Sequence, residues 1–273
     1  MKFLSKLGIV GHGYVGSALK HSITDALVYD KDPKKSEVKS LSDLIDCEAI
    51  FICVPTPSKK DGSCDTSIVS KVITDINYQV DKAKSNLIAP PNPILVIKST
   101  IPPGTTDSLQ KTTGLSLIFW PEFLTEANHL KDLQDASRII LGGDTKAGLK
   151  LSSLLTAGGY FPQALVAHTT ASMAETVKYA TNAFLATKVA FANEMFGLIT
   201  DLELDYRHFQ DLFTLDHRIT RSHLQVPGPD GKFGFGGSCL PKDLKGLLHT
   251  LQTKELTNHL IEGVLKSNEE VRE

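Results

Sequence analysis

Long apolar runs are missing from this chain. No uninterrupted apolar stretch approaches the roughly 18 residues that a membrane-spanning helix needs. The N-terminus, MKFLSKLGIVGHG, has one short apolar stretch that runs straight into glycines, without the longer core and small-residue cleavage site of a secretory signal. A surplus of positive charge is also missing. Lys and Arg number 29 against 31 Asp and Glu, a formal net charge of −2, so no overall field draws in nucleic acid. Cysteine is scarce: Cys47, Cys53, Cys64 and Cys239 form no CxxC pair and no metal-ligand spacing. No metal is expected, and reduced thiols in a cytoplasmic compartment are the simplest reading. Internal repeats and low-complexity segments are absent. What remains is a chain of 273 residues, 41% hydrophobic and 22% charged, the composition of one large folded domain or two modest ones.

The first half alternates short apolar runs with helical stretches. The runs are Lys6–Val10, Ala26–Asp30, Ala49–Val54, Ile94–Lys98, Ser116–Phe119 and Arg138–Leu141. Continuous runs of this kind fit strands buried on both faces of a parallel sheet. With helices between them they predict an α/β fold, a Rossmann-like doubly wound parallel sheet. The pattern changes near residue 165. Thr170 to Leu204 reads as one long helix, with apolar residues at Val177, Ala180, Phe184, Leu185, Val189 and Phe196. A helix this long usually packs against a partner chain or another domain. A shorter helix near Tyr206–Leu215, a Gly/Pro-rich loop at Pro227–Gly237 and helices from Pro241 onward follow. The expected division is a dinucleotide-binding domain over 1–165 and an all-helical domain over 166–273.

Gly11-His12-Gly13-Tyr14-Val15-Gly16 is a G-x-G-x-x-G between a strand-like run and a helix-like stretch. The first glycine permits the tight turn, the second lets backbone approach a pyrophosphate, and the third allows close helix–strand packing. The helix N-terminus adds partial positive charge. Asp30 closes the second strand 19 residues after Gly11, where a carboxylate accepts ribose hydroxyls and repels a 2′-phosphate. NAD is therefore predicted over NADP, a preference that Lys31, Lys34 and Lys35 soften. Val54-Pro55-Thr56-Pro57 and Ser99-Thr100-Ile101-Pro102-Pro103-Gly104 each follow a strand, where open α/β sheets bind ligands. They are ordinary loop starts, or they offer the Thr56, Ser99 and Thr100 hydroxyls to the nicotinamide side.

Pro121-Glu122-Phe123-Leu124-Thr125-Glu126 also follows a strand, with two carboxylates four residues apart that would share a helical face. Paired acids do general-base work when burial raises one of them. Lys178 and Asn182 are helical neighbours at i, i+4. On a packed face they would bind an oxyanion, and on an open one they are a solvated lysine and a surface amide. The most informative stretch is Phe233-Gly234-Phe235-Gly236-Gly237-Ser238-Cys239-Leu240-Pro241-Lys242-Asp243. Its glycines predict positive φ or close approach of a ligand. Pro241 fits the first position of a helix. Cys239 would precede that helix's N-terminus, where the dipole favours a thiolate, with Lys242 adding charge and Asp243 one turn on. A lone cysteine is usually a small buried hydrophobe. This setting is that of a nucleophile.

The segments GIVGHGYVGSAL, FICVPTP, VIKSTIPPGTT, FWPEFLTEAN, AETVKYATNAFLATKVAFANE and FGFGGSCLPKD occur in this order over nearly the whole chain. Together they resemble the UDP-glucose/GDP-mannose dehydrogenase family. The resemblance implies oxidation of a nucleotide sugar's primary alcohol to a carboxylate with two NAD. UDP-glucose is the default substrate, and the long helix would form a homodimer's core. Cys239 would be the nucleophile, Lys178 and Asn182 the oxyanion donors, and Asp243 and Thr100 would position a water or proton. Glu122 would be the base for hydrolysis, supported by Glu126. NAD would be held by Gly11, Gly13, Tyr14, Val15, Gly16, Asp30, Lys35, Val54, Pro55, Thr56, Ser99 and Thr100. The substrate would meet Phe123, Leu124, Glu126, Lys178, Arg218, Phe233, Gly234, Gly236 and Lys242.

The pattern departs from the family at three places. Family members continue into a second Rossmann-like domain, whereas this sequence stops at Glu273. The insert Gln225–Lys232 lengthens the lead into the glycine loop and is expected to supply phosphate or base contacts. DGSC at Asp61–Cys64 replaces DGSP. Two other functions compete: a two-electron dehydrogenase of a smaller hydroxy substrate, which needs no thiol, and a non-catalytic NAD-binding partner of a longer enzyme.

Overall fold

The computed structural model describes residues 7–84, 91–125 and 127–272. Lys6 and Glu126 lie outside them. The chain divides into two compact units, one of residues up to Pro57 and Asp65–Lys178, the other of Ser58–Cys64 and Tyr179 onward.

The first unit is built on a seven-stranded sheet: β1 (Leu7–Val10), β2 (Leu27–Tyr29), β3 (Ala49–Ile52), β4 (Ile94–Ile97), β5 (Leu117–Phe119), β6 (Arg138–Gly143) and β7 (Leu165–Thr169). The spatial order is β2-β1-β3-β4-β5-β6-β7. The chain leaves β1 to one side for β2 and returns to the other for β3, so the order reverses at β1, where such sheets open a ligand crevice. Strands β1, β3 and β4 are buried along their whole length. Their alternate residues feed two cores. Phe51, Val96, Ile118 and Trp120 face one side. Ile50, Ile52, Leu95, Ile97 and Phe119 face the other. Each such side chain contributes about 1.5–3 kcal/mol by leaving water.

Helices α1 (Tyr14–Ser22), α2 (Ser67–Lys84), α3 (Thr105–Thr113), α4 (His129–Gln134) and α5 (Thr145–Ala157) link the strands. Helix α2 buries Val69, Ile73, Ile76 and Val80, an i, i+4, i+7, i+11 stripe. Asp144 caps α5 by accepting from the Ala147 N–H. Helix α3 starts and stops at the left-handed glycines Gly104 and Gly114.

The expected doubly wound, mostly parallel sheet is present, with two features the pattern did not carry. It is not wholly parallel, because β6 runs antiparallel to β5 and β7 follows β6 in parallel. Gly143 permits this close approach: at φ 138°, an added Cβ would lie 2.5 Å from the Leu117 carbonyl oxygen. Residues 165–169 form an edge strand and not the start of a helical domain. Exposed along most of its length, β7 lacks the continuous apolar run that marked the inner strands. The first unit accordingly continues past 165 to Lys178.

The second unit takes most of α6 (Ala171–Asp201), then α7 (Tyr206–Phe213), α8 (Leu240–Thr253) and α9 (His259–Val271). Its core joins Ala183, Ala186 and Ala190 of α6 to Phe235, Leu244 and Val264. The inward positions of α6 are thus small. Phe184 is 66% exposed, and Ala180 is exposed as well. Pro241 occupies the second helical position of α8, not the first, because the helix begins at Leu240. Among the described residues, no helix is long and apolar enough to cross a membrane.

The glycine turn yields a paired prediction. At Gly16 an added Cβ would sit 1.8 Å from the Gly11 carbonyl oxygen, whereas at Gly13 it would meet nothing within 4 Å. Gly16→Ala should lower stability by about 1–3 kcal/mol. Gly13→Ala should leave the urea midpoint within error of the parent. Equal midpoints for the two variants would contradict the packing argument.

Candidate active-site residues

The turn after β1 is shaped for a dinucleotide. Gly11 has φ 95°, and an added Cβ would lie 2.7 Å from the Cys53 carbonyl oxygen. Gly13 is the N-cap of α1, with open space where a side chain would stand. Its backbone is therefore approachable by a phosphate, and the α1 amides offer donors. Tyr14 is 60% exposed at the start of α1, edge-on to His129, and Val15 is half-buried. Asp30 follows β2. Its carboxylate accepts from the His12 N–H at 2.6 Å and the Asp32 N–H at 2.8 Å. Partial burial pushes its pKa up. The two amides and the charges of Lys35 and His12 outweigh that and hold it below the usual value. A carboxylate has about four acceptor positions, so two remain for ribose hydroxyls.

The loops at the ends of β3, β4 and β5 meet nearby. Thr56, Ser99 and Thr100 are buried, while Pro55 is exposed and Val54 half-buried. The Ser99 hydroxyl is directed to the carbonyl oxygens of Val54 at 2.7 Å and Ile52 at 3.3 Å. It therefore ties two strand ends together. Residues 121–125 are not helical, so Glu122 does not start a helix; α4 begins only at His129. Glu122 instead turns inward, 7% exposed, and pairs with the 2% exposed Lys178 at 2.9 Å. Its other oxygen accepts the Leu124 N–H at 2.8 Å. Burial pushes the Glu122 carboxyl up, and Lys178, the Leu124 amide and Lys98 together bring it below its ordinary value. Phe123 and Leu124 are half-buried beside this pair, with the Arg138 guanidinium 4.5 Å above the Phe123 ring.

In the second unit Asn182 and Asp243 are also buried, so the reading of Asn182 as a surface amide is overturned. Lys178, likewise buried, is no solvated lysine. Asn182 Nδ2 donates to Asp243 Oδ2, and Lys242 Nζ lies 2.6 Å from Asp243 Oδ1. Cys239 is the N-cap of α8, half-buried, and its carbonyl accepts the Asp243 N–H at 2.9 Å. The sulfur is 3.7 Å from the Ser238 hydroxyl. A helix N-terminus favours negative charge at this position.

The glycine loop before Cys239 is anchored by residues that motif reading passed over. Asn193 accepts the Gly234 N–H, and Asn268 brackets Phe235 by accepting its N–H and donating to its carbonyl. Arg272 donates to the Phe233 and Gly234 carbonyls. An added Cβ would lie 2.0 Å from Arg272 at Gly236 and 2.4 Å from Asn268 at Gly234. The glycines are needed by these side chains, quite apart from any ligand. Phe233 is 42% exposed.

Arg218 stands apart from this group. Its side chain is 78% exposed and forks onto Asp216. In the insert, Asp230 is paired with Arg272. Lys35 is exposed.

Two further buried groups were missed. Lys98 reads as a strand end, yet it is 1% exposed. Glu175, unremarked on the long helix, is fully buried and accepts from the Gly104 and Thr106 amides and the Thr106 hydroxyl. It caps α3 in place of the side chain that Gly104 lacks. Pattern alone gave no signal for either, since both lie on elements whose neighbours look ordinary.

A glycine turn at the switch point of a doubly wound sheet, with an acid closing β2, defines a dinucleotide-binding protein. Two profiles of one family match it further. The NAD binding domain of the UDP-glucose/GDP-mannose dehydrogenase family matches residues 33–155, and the family's central domain matches residues 172–270. The UDP-glucose 6-dehydrogenase of Rickettsia bellii is 34% identical over 237 residues, covering 84% of this chain and 50% of that enzyme. The GDP-mannose 6-dehydrogenase of Pseudomonas aeruginosa is 29% identical, covering 82% of this chain and 51% of its own length. The solved UDP-glucose dehydrogenase of Pyrobaculum islandicum superposes with a TM-score of 0.84 at 27% identity, over 98% of this chain and 69% of that one. The chain belongs to the UDP-glucose/GDP-mannose dehydrogenase family, and its cofactor is NAD. It spans about half the length of the Rickettsia and Pseudomonas enzymes.

Removing one member of a buried ion pair strands the other. Glu122→Gln should cost about 3–5 kcal/mol at neutral pH. Glu122 has a lowered pKa in the folded state, so its stabilisation is complete above the ordinary value of 4.5 and is lost as pH falls toward the folded value. Thermal melts from neutral to acid pH should therefore show a shallower decline for the variant. Parallel curves would contradict the assignment.

Proposed function

We propose that this protein oxidises the primary alcohol of a nucleotide sugar to a carboxylate, with UDP-glucose the favoured substrate. The observation that carries the reading is Cys239 at the N-cap of α8, with Asp243 buried one turn on and bonded to Asn182. A simple alcohol oxidation needs no thiol, whereas a second oxidation at the aldehyde can proceed through a covalent adduct with one.

Bound NAD supplies the hydride acceptor, once for each two-electron step. In the first step the alcohol gives up a hydride to that acceptor and its hydroxyl proton to a water held by Asp243 and Thr100, and becomes an aldehyde. The Cys239 thiolate then adds to the aldehyde carbon, forming a C–S bond and a thiohemiacetal oxyanion. Lys178 and Asn182 are assigned to that oxyanion, since an ammonium and an amide stabilise charge that grows in a dry site. Loss of the second hydride leaves a thioester. Water attacks it, the C–S bond breaks, and the thiol and carboxylate separate. Glu122 is assigned as the base for the water, with Glu126 supporting it, and Asp243 and Thr100 position the water or its proton. The backbone of Phe123 and Leu124, the loop Phe233–Gly236 and Lys242 are assigned to the sugar and phosphates, and Arg218 to the substrate as well. The insert at 225–232 is assigned to phosphate or base contacts.

The partner surface follows from α6. Phe184, Phe191 and Leu198 stand at i, i+7 and i+14, and are 66%, 42% and 50% exposed. An apolar seam at seven-residue spacing suits a second copy of the same helix.

Purified protein given NAD and a panel of nucleotide sugars should form two NADH per sugar oxidised. Cys239→Ala should form none from the alcohol beyond a slow first equivalent. One NADH per sugar in the parent would replace this reading with a two-electron dehydrogenase. Phe184→Asp should convert a dimer to a monomer in light scattering. A monomeric parent would refute the seam.

A further inference from the structure

Glu122 has a second cationic neighbour, which the reaction scheme leaves without a task. Lys98 follows β4, between Cys53 at the end of β3 and Glu122 after β5. The side chain is 1% exposed. Its Nζ has no hydrogen-bond partner among the described residues and lies 4.0 Å from the centroid of the Trp120 ring. A ring face contributes about 2 kcal/mol to a desolvated cation. Several kcal/mol of lost hydration stand against it. The charge on Lys98 is thus poorly supported, and its proton is the part most easily given up. Three titratable groups act on it: Cys53, Glu122 and Lys178. Burial pushes the Cys53 thiol up to about 12, so Cys53 stays neutral. Burial also lowers Lys98 to about 7, against the smaller pull of Glu122 and with a push from Lys178. Lys98 and Glu122 line one cavity of about 480 Å³ with Trp120, Phe123, Leu124 and Arg138.

We propose that Lys98 is a positioning residue for Glu122, whose protonation decides whether that carboxylate faces one positive charge or two. With Lys98 charged, Glu122 is flanked by two ammonium groups and is a weak base. With Lys98 neutral, only Lys178 remains, and the carboxylate takes a proton more readily. The base assigned to thioester hydrolysis therefore strengthens as pH rises through neutrality, although Glu122 itself is already ionised. The kinetic consequence rests on the reaction proposed above, whereas the electrostatic coupling does not.

The coupling is read in ligand-free protein labelled with ¹³C at the glutamate carboxyls, the Glu122 signal being assigned by its loss in Glu122→Gln. In the parent that signal should carry an inflection at pH about 7, the value for Lys98. In Lys98→Met and in Lys98→Arg the inflection should vanish, because methionine never carries the charge and arginine never loses it. An inflection that persists in both variants, or none in the parent, would overturn the proposal. Turnover supplies the second measurement. In Lys98→Arg, kcat near pH 8 should fall about tenfold with KM for the sugar unchanged. Lys98→Met should stay active and lose the inflection from its kcat profile. A protein that oxidises no nucleotide sugar would defeat the reaction scheme, and the ¹³C titration would still decide the role of Lys98.

Discussion

A carboxylate and an ammonium that have both left water persist only as a pair, and Glu122 and Lys178 are such a pair at 2.9 Å. The placing of the loop after β5 depends on it. The contact fixes the loop after β5 against the first turns of α6 and pulls the Pro121–Thr125 segment away from helix. The Leu124 amide turns back onto the same carboxylate, and Phe123 is left beside Lys178. Glu175, one turn earlier on α6, makes a similar buried contact with the start of α3. A single helix thereby holds two loops that follow parallel strands, which is where a doubly wound sheet places its ligands.

The second unit applies the same rule to a backbone. The glycine loop before Cys239 contains few side chains able to hold it, so its shape comes from outside. Asn193 on α6, with Asn268 and Arg272 on and just after α9, satisfy its amides and carbonyls. Glycine is required where these side chains press closest. Cys239 then begins α8 with its sulfur at the positive end of the helix, and Asp243 is buried one turn below with Asn182 and Lys242 on its two oxygens. A buried aspartate with both oxygens engaged keeps a defined orientation.

How far the sequence was legible depended on the range of the forces involved. The inner strands, the glycine turn and Asp30 could be read because each is a local pattern: an apolar run, a turn with no room for Cβ, an acid at a strand end. The start of α8 could be read to within one residue for the same reason. The edge strand β7 could not, because its exposed side chains leave it without an apolar run. The inward turn of Glu122 could not be read, since its partner, Lys178, lies 56 residues away. Lys98 and Glu175 escaped notice for a like reason. A lysine at a strand end looks the same on paper whether it reaches water or lies under a tryptophan.

By itself, the sequence determined the family and the α/β sheet with its dinucleotide turn, and it singled out Cys239 as the candidate nucleophile, because those rest on residue types at short spacings. The tertiary structure alone decided which charges are buried. It made Lys178 a buried ion and not a solvated one, left Arg218 in water, and brought Lys98 under the Trp120 ring. Burial is the sum of contacts from segments far apart in the chain, and it sets the electrostatic environment of each acid and base.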